Sequence, residues 1–105
     1  MKIYTTDTIV GKEITASLGI VCGSMVQSKH LGRDFMAGLK TLVGGEIKGY
    51  TEMLSDARQK AVDRMLEDAR RLNADAVVGV RFTTSSIAQG MSEVLAFGTA
   101  VNIAR

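Results

Sequence analysis

Few residues in this chain can do chemistry, and they are scattered. Cys22 is the single thiol and His30 the single imidazole. A heavy-metal site asks for soft thiolate or imidazole ligands, two or more of them converging at bonding distance. Cys22 and His30 stand eight positions apart across an expected strand end, with no second Cys and no HxxxH spacing, so one subunit makes a poor site. A ring of subunits could bring symmetry copies of Cys22 near a shared axis, or join Cys22 of one subunit to groups of the next. Against this stand two plainer readings, which carry more weight. Cys22 reads as a small buried hydrophobe between Val21 and Gly23. His30 reads as a solvent-exposed residue at a strand–helix junction.

A second set is polar. Glu46, Tyr50, Arg58 and Glu93 could line a pocket between subunits and bind a small ligand. Arg58 lies near an apolar helical stripe and would need a carboxylate such as Glu46 or Glu93. The plainer reading is a salt-bridged network that shapes a loop or a subunit interface. A neighbouring Arg also lowers a carboxylate's pKa and makes it a poor general base, which argues against an enzyme. No nucleophile–base pair is visible. Gly44-Gly45 has neither a following Lys-Ser/Thr nor a GxGxxG pattern, so it is assigned to a turn. Thr99 is an ordinary strand residue, and the methionines on apolar stripes are assigned to packing.

These residues must be held by a small number of elements. Ile3 to Thr5 reads as a short edge strand, and Thr8 to Gln27 has strand composition. Gly11, Gly19 and Gly23 within it argue for bends, bulges or close backbone contacts. Leu31, Phe35, Leu39 and Leu42 repeat with helical spacing over His30 to Val43, weakened by Gly32 and Gly38. Glu46 to Gly49 is either a turn or the start of the next helix. From Tyr50 to Leu72 the pattern predicts a long amphipathic helix, with Tyr50, Met53, Leu54, Ala57, Ala61, Met65, Ala69 and Leu72 as its stripe. Arg70 and Arg71 suit the negative end of the helix dipole, and Asn73 is a left-handed C-cap residue.

Two alternating segments follow, Ala76 to Thr84 and Glu93 to Ile103. Val78, Val80 and Phe82 are expected on one face of the first. In the second, Leu95, Phe97, Val101 and Ile103 share one face while Ala96, Gly98 and Ala100 line the other. So small a face lets a backbone or helix approach closely, and a strand covered on both sides in so short a chain suggests oligomerisation. Thr83 to Met91, rich in Ser, Gln and Gly, reads as a surface loop. The expected architecture is a single α+β domain over residues 1–105, an antiparallel sheet packed against a long helix in β-α-α-β-β order.

Composition narrows the function classes. Thirteen basic residues are interspersed with eleven acidic ones, so a net charge of +2 gives no electrostatic reason to expect nucleic acid or a membrane surface. The start lacks the apolar core of a signal peptide, and no uncharged run reaches the roughly eighteen residues of a membrane span. A cytoplasmic location is expected. With 46% apolar but only 5% aromatic residues, the core must be built from Val, Ile, Leu, Ala and Met, and a chain of 105 residues gains from partner subunits.

Several blocks resemble a known family: Leu18-Gly19-Ile20-Val21, Gly44-Gly45-Glu46, Tyr50-Thr51-Glu52, Ala57-Arg58, Ala61, Ala74 to Val80, and Phe97 to Val101. In this order they are similar to the YbjQ-like family, whose label is a heavy-metal-binding domain. The resemblance covers nearly the whole chain. It implies a dodecin-like α+β subunit assembled as a homopentameric ring, with itself as partner and a soft transition or heavy metal as the implied cofactor. Three readings follow. The first and favoured one is a homo-oligomeric binding or structural protein with a ring-built site, taking metal through Cys22. The second is an intersubunit small-molecule binder at Glu46, Tyr50, Arg58 and Glu93. An enzyme comes last.

Overall fold

The computed structural model describes residues 1–28 and 46–105, apart from the side chains of Ser28 and of residues 46–51. The elements in chain order are β1 (Lys2–Ile3), β2 (Ile14–Ser28), α1 (Glu46–Arg71), β3 (Ala76–Ala88) and β4 (Met91–Ile103). The helix expected over His30 to Val43, and His30 itself, lie outside the described residues.

The four strands form one sheet in the order β1-β3-β4-β2. β4 pairs antiparallel with β3 on one side and β2 on the other. The short edge strand β1 runs parallel to β3, so the sheet is mixed rather than wholly antiparallel. The α+β class and the helix-on-sheet arrangement are as the sequence suggests.

α1 starts at Glu46, which resolves the choice between turn and helix start. It buries Ala57, Ala61, Val62, Met65 and Ala69 against Val21, Val77, Val80, Val94, Ala96 and Ala100 of the sheet. Leu54 and Leu72 of the expected stripe are each 41% exposed, and Val62 and Leu66 pack in addition to its centre. Met65, Val21, Val77 and Val101 are the largest fully buried side chains. Burial of this kind stabilises by about 1.5–3 kcal/mol per side chain. The helix ends as Asn73 predicts, with φ of 58°. The Asn73 N–H donates to the Arg70 carbonyl at 3.0 Å and the Ala74 N–H to the Ala69 carbonyl at 3.2 Å. These two bonds are the Schellman closure, with Asn at the left-handed position.

The small face of β4 lies under this helix, as expected, but the closest approach is on β2. A Cβ on Gly23 would overlap the backbone of α1 at Ala61, Arg64 and Met65. Helix and strand therefore touch main chain to main chain. Gly19 lies at a bulge in β2, where Ser17 and Gly19 pair with the adjacent residues Val101 and Ala100. Gly11 lies in the turn that precedes β2, so Thr8 to Glu13 is not part of the strand as composition suggested.

A second bulge overturns one face assignment. Val78 pairs with Thr99 and Arg81 with Phe97, so β3 carries one extra residue there, and Gly79 takes φ of 62° to supply it. Val77 and Val80 consequently face the helix, and Val78 turns to the other side, away from Val80. There Val78, Ala76 and Val101 pack with Ile9, Tyr4, Ile14 and Ile103. The N-terminal arm thus covers the lower half of the face opposite the helix. Three backbone bonds hold it: Tyr4 N–H to Val77 O, Gly79 N–H to Thr6 O and Val80 N–H to Tyr4 O, each 2.9 Å.

Thr83 to Met91 is not a loop. β3 and β4 continue as a hairpin to a tight turn at Gln89-Gly90, pairing Thr83 with Leu95, Ser85 with Glu93 and Ala88 with Met91. All of β3 from Arg81 onward is exposed, so no buried face writes an alternating pattern into its sequence.

Candidate functional site

The upper half of the face opposite the helix is open. Strand parity determines what it carries. Val21 and Gly23 point at α1, so Cys22 between them points away and is exposed, not the buried hydrophobe the sequence suggested. Cys22 pairs with Phe97 and Phe97 with Arg81, one row across three strands. The next rows are Ser24–Leu95–Thr83 and Val26–Glu93–Ser85. Below them, Ile20 stands beside Thr99 and is 80% exposed, while Val26 is 42% exposed. Phe97 and Leu95 are half-buried. The result is an apolar patch with a thiol on the outer strand.

Two helix side chains fix that outer strand. Asp68 Oδ2 accepts the Cys22 backbone N–H at 3.2 Å, and the Arg64 guanidinium donates to the Ser24 carbonyl. Arg64 and Asp68, one helical turn apart, are thus spent on strand backbone, whereas Asp56 and Lys60 form an exposed ion pair at 3.1 Å. Arg81 folds back, its Nη1 donating to the Thr5 carbonyl at 2.8 Å and to Val80 O at 2.9 Å. With Phe97 between them and strands about 4.8 Å apart, Cys22 and Arg81 are roughly 10 Å apart at the backbone.

Of the polar candidates, the side chains of Arg58 and Glu93 are among the described residues, and they lie on opposite sides of the sheet. Glu93 lies half-buried on the open face, and Arg58 is exposed on α1 across the sheet from it. Glu46 and Tyr50 belong to the first turns of α1. At 1.5 Å per residue, the backbones of Glu46 and Arg58 are about 18 Å apart along the helix. Among the described residues no group of three or more His, Cys, Asp or Glu is placed to hold a metal ion.

One polar cluster escaped the sequence reading. Asp75 accepts from the Ile103 N–H at 3.0 Å, Asn102 Nδ2 at 3.2 Å and Arg105 Nη2 at 3.0 Å. Asn102 also donates to Asn73 O at 3.0 Å. The Ile103 amide above all, aided by Asn102 and Arg105, holds the Asp75 carboxyl below the usual carboxylate value, and desolvation opposes them. The signals were Asp75's place two residues beyond the C-cap Asn73 and within the block Ala74 to Val80. Its partners are 27 to 30 residues away in sequence, so spacing alone does not reveal them.

A helix laid over a mixed four-stranded sheet, with an N-terminal arm on the far face, defines a class of small α+β domains. The family model described as "Putative heavy-metal-binding" matches residues 1–104, and the chain belongs to that YbjQ-like family. It is 66% identical over 103 residues to a UPF0145 protein of Vibrio campbellii, covering 98% of this chain and 99% of the relative. It is 58% identical over 103 residues to a UPF0145 protein of Methanosarcina acetivorans, covering 98% and 97% respectively. A crystal structure from Pediococcus pentosaceus, titled a protein of unknown function in the DUF74 family, matches with a TM-score of 0.63. It covers 97% of this chain and 96% of that one at 19% identity, a likeness of fold. No helix among the described residues is long and apolar enough to cross a membrane.

Proposed function

We propose that this chain is the subunit of a homo-oligomeric binding protein, a pentameric ring in the cytoplasm, whose site forms where a neighbouring copy covers the open sheet face. The ligand class is a soft transition or heavy metal, with Cys22 as the donor from each subunit. The observation that carries this reading is the exposure of Cys22 on an apolar face whose lower half the chain's own arm already covers. A lone thiolate binds soft metals weakly, and converging copies supply the missing ligands. The family description points the same way.

Native mass spectrometry of untagged protein, before and after Zn(II), Cu(I) and Cd(II), tests both parts. The expected result is a pentamer that gains metal mass, and loses that gain in Cys22→Ser while keeping its subunit count. Metal uptake unchanged by Cys22→Ser would sink the metal assignment. A retained organic mass would move the site to an intersubunit pocket at Glu46, Tyr50, Arg58 and Glu93.

A further inference from the structure

The N-terminal arm, residues 4–13, lies on the sheet by two apolar anchors. Ile9 is buried among Ala76, Val78 and Val101, and Tyr4 packs half-buried against the same cluster beside Ile14 and Ile103. Residues 5–8 and 10–13 are exposed. Ile9 arrives on a tight turn, closed by the Lys12 N–H on the Ile9 carbonyl at 3.1 Å with Gly11 at φ of 78°. Upstream, β1 adds only two residues of pairing, with Ala76 and Val77. A segment with few buried apolar contacts and water-exposed backbone bonds opens at a lower free energy than the core it covers.

β3 is shaped to receive this arm. The bulge at Gly79 turns Val78 to the far face, where it meets Ile9, and it offers the Gly79 N–H to the Thr6 carbonyl. Arg81 then joins the two pieces. Its Nη1 donates to Val80 O on its own strand and to Thr5 O on the arm, between the backbone bonds made by Tyr4 and Thr6. A bond from a charged donor is roughly twice as strong as a neutral one, so this contact outweighs its neighbours.

The arm also divides a continuous column. Leu95, Phe97, Thr99, Val101 and Ile103 alternate along β4 on the face away from the helix, and the arm packs on the last two. We infer that the arm is a strap that lifts as a unit while helix and sheet stay folded, with Arg81 as its latch. Lifting it joins Val101 and Ile103 to Phe97 and Leu95 and lengthens the apolar face that a ligand or partner meets. The strap depends on neither a metal nor a second copy, so it stands or falls apart from the reading above.

Thiol labelling beneath the arm tests it. In a Cys22→Ser background, Val101→Cys puts a thiol under Ile9 and Val77→Cys puts one under α1, at positions 2% and 0% exposed. Iodoacetamide is expected to modify Val101→Cys at least tenfold faster than Val77→Cys. Adding Arg81→Gln is expected to raise the Val101→Cys rate by about tenfold and leave the Val77→Cys rate unchanged. Equal rates at the two positions overturn the strap, and a Val101→Cys rate indifferent to Arg81→Gln overturns the latch. Native-state hydrogen exchange on the unaltered protein gives a second reading that needs no cysteine variant to fold. The Tyr4, Gly79 and Val80 amides, which bond between arm and β3, are expected to exchange at one common rate, at least tenfold faster than the mid-helix amides of Ala61 and Met65. Exchange at the helix rate overturns the strap.

Discussion

Gly23 is the residue on which the fold depends most sharply. An added Cβ would meet helix main chain, which cannot swing aside as a side chain does. Gly23→Ala is expected to cost about 3 kcal/mol or more, the upper part of the range for overpacking, read as a lowered urea midpoint. Gly98→Ala would meet Val77 Cγ1 at 2.8 Å, Val78 O at 2.9 Å and Val80 Cγ2 at 3.1 Å, and is expected to cost less because these overlaps are shallower than those at Gly23. Asp75 contributes to the acid limb. Its folded pKa lies below its unfolded one, so its contribution is complete above about pH 3.9 and is lost as pH falls through the folded value. Asp75→Asn should be less stable at neutral pH and show a shallower loss on acidification, measured by denaturant unfolding from pH 7 down to 2. At this scale the sequence was partly legible. The three glycines of the first strand region suggested bends, bulges or close contacts, and each is one of these. Cys22 was misread because the same small size that lets a cysteine be buried says nothing of parity. Val21 and Gly23, one apolar and one without a side chain, do not reveal by type that both face the helix.

Among the elements, α1 was legible because its stripe, its basic last turn and its C-cap agree. Asn73 carries the cap at φ 58°, so Asn73→Ala is expected to destabilise by about 1 kcal/mol, whereas Asn73→Gly should be nearly neutral. Thermal unfolding of the two variants side by side decides it. β3 was legible only as far as it is buried. Its first five residues sit in the core apart from Gly79, and from Arg81 onward the side chains meet water on both faces. Thr and Ser suit an exposed strand and a loop equally, so the tip read as a loop until its pairing with β4 was seen. The bulge at Gly79 was hidden for a related reason: an extra residue shifts Val78 to the opposite face without changing the run of valines.

At the scale of the molecule, the two faces of the sheet are treated unequally. One is sealed by α1, and the other is sealed below by the arm and left open above. If a copy covers the open half, the Cys22 thiol should resist alkylation in the assembly and react on dilution below the dissociation point. Mass labelling across a concentration series measures this, and a thiol that reacts equally fast at all concentrations would place the subunit contact elsewhere. The chain's blocks made this architecture legible through the family resemblance more than through periodicity. The arm in particular left no periodic trace, because Tyr4 and Ile9 are held as single anchors on an irregular segment.

The main-chain contact at Gly23 also bears on how the subunit moves. With no side-chain layer between strand and helix at that point, there is no cushion to absorb a displacement. The neighbouring Cys22 amide is tied to Asp68 on the same helix. Helix and outer strand therefore form one stiff lever, and force applied to the Cys22 thiol from the open face is delivered, without slack, to the opposite surface of the subunit.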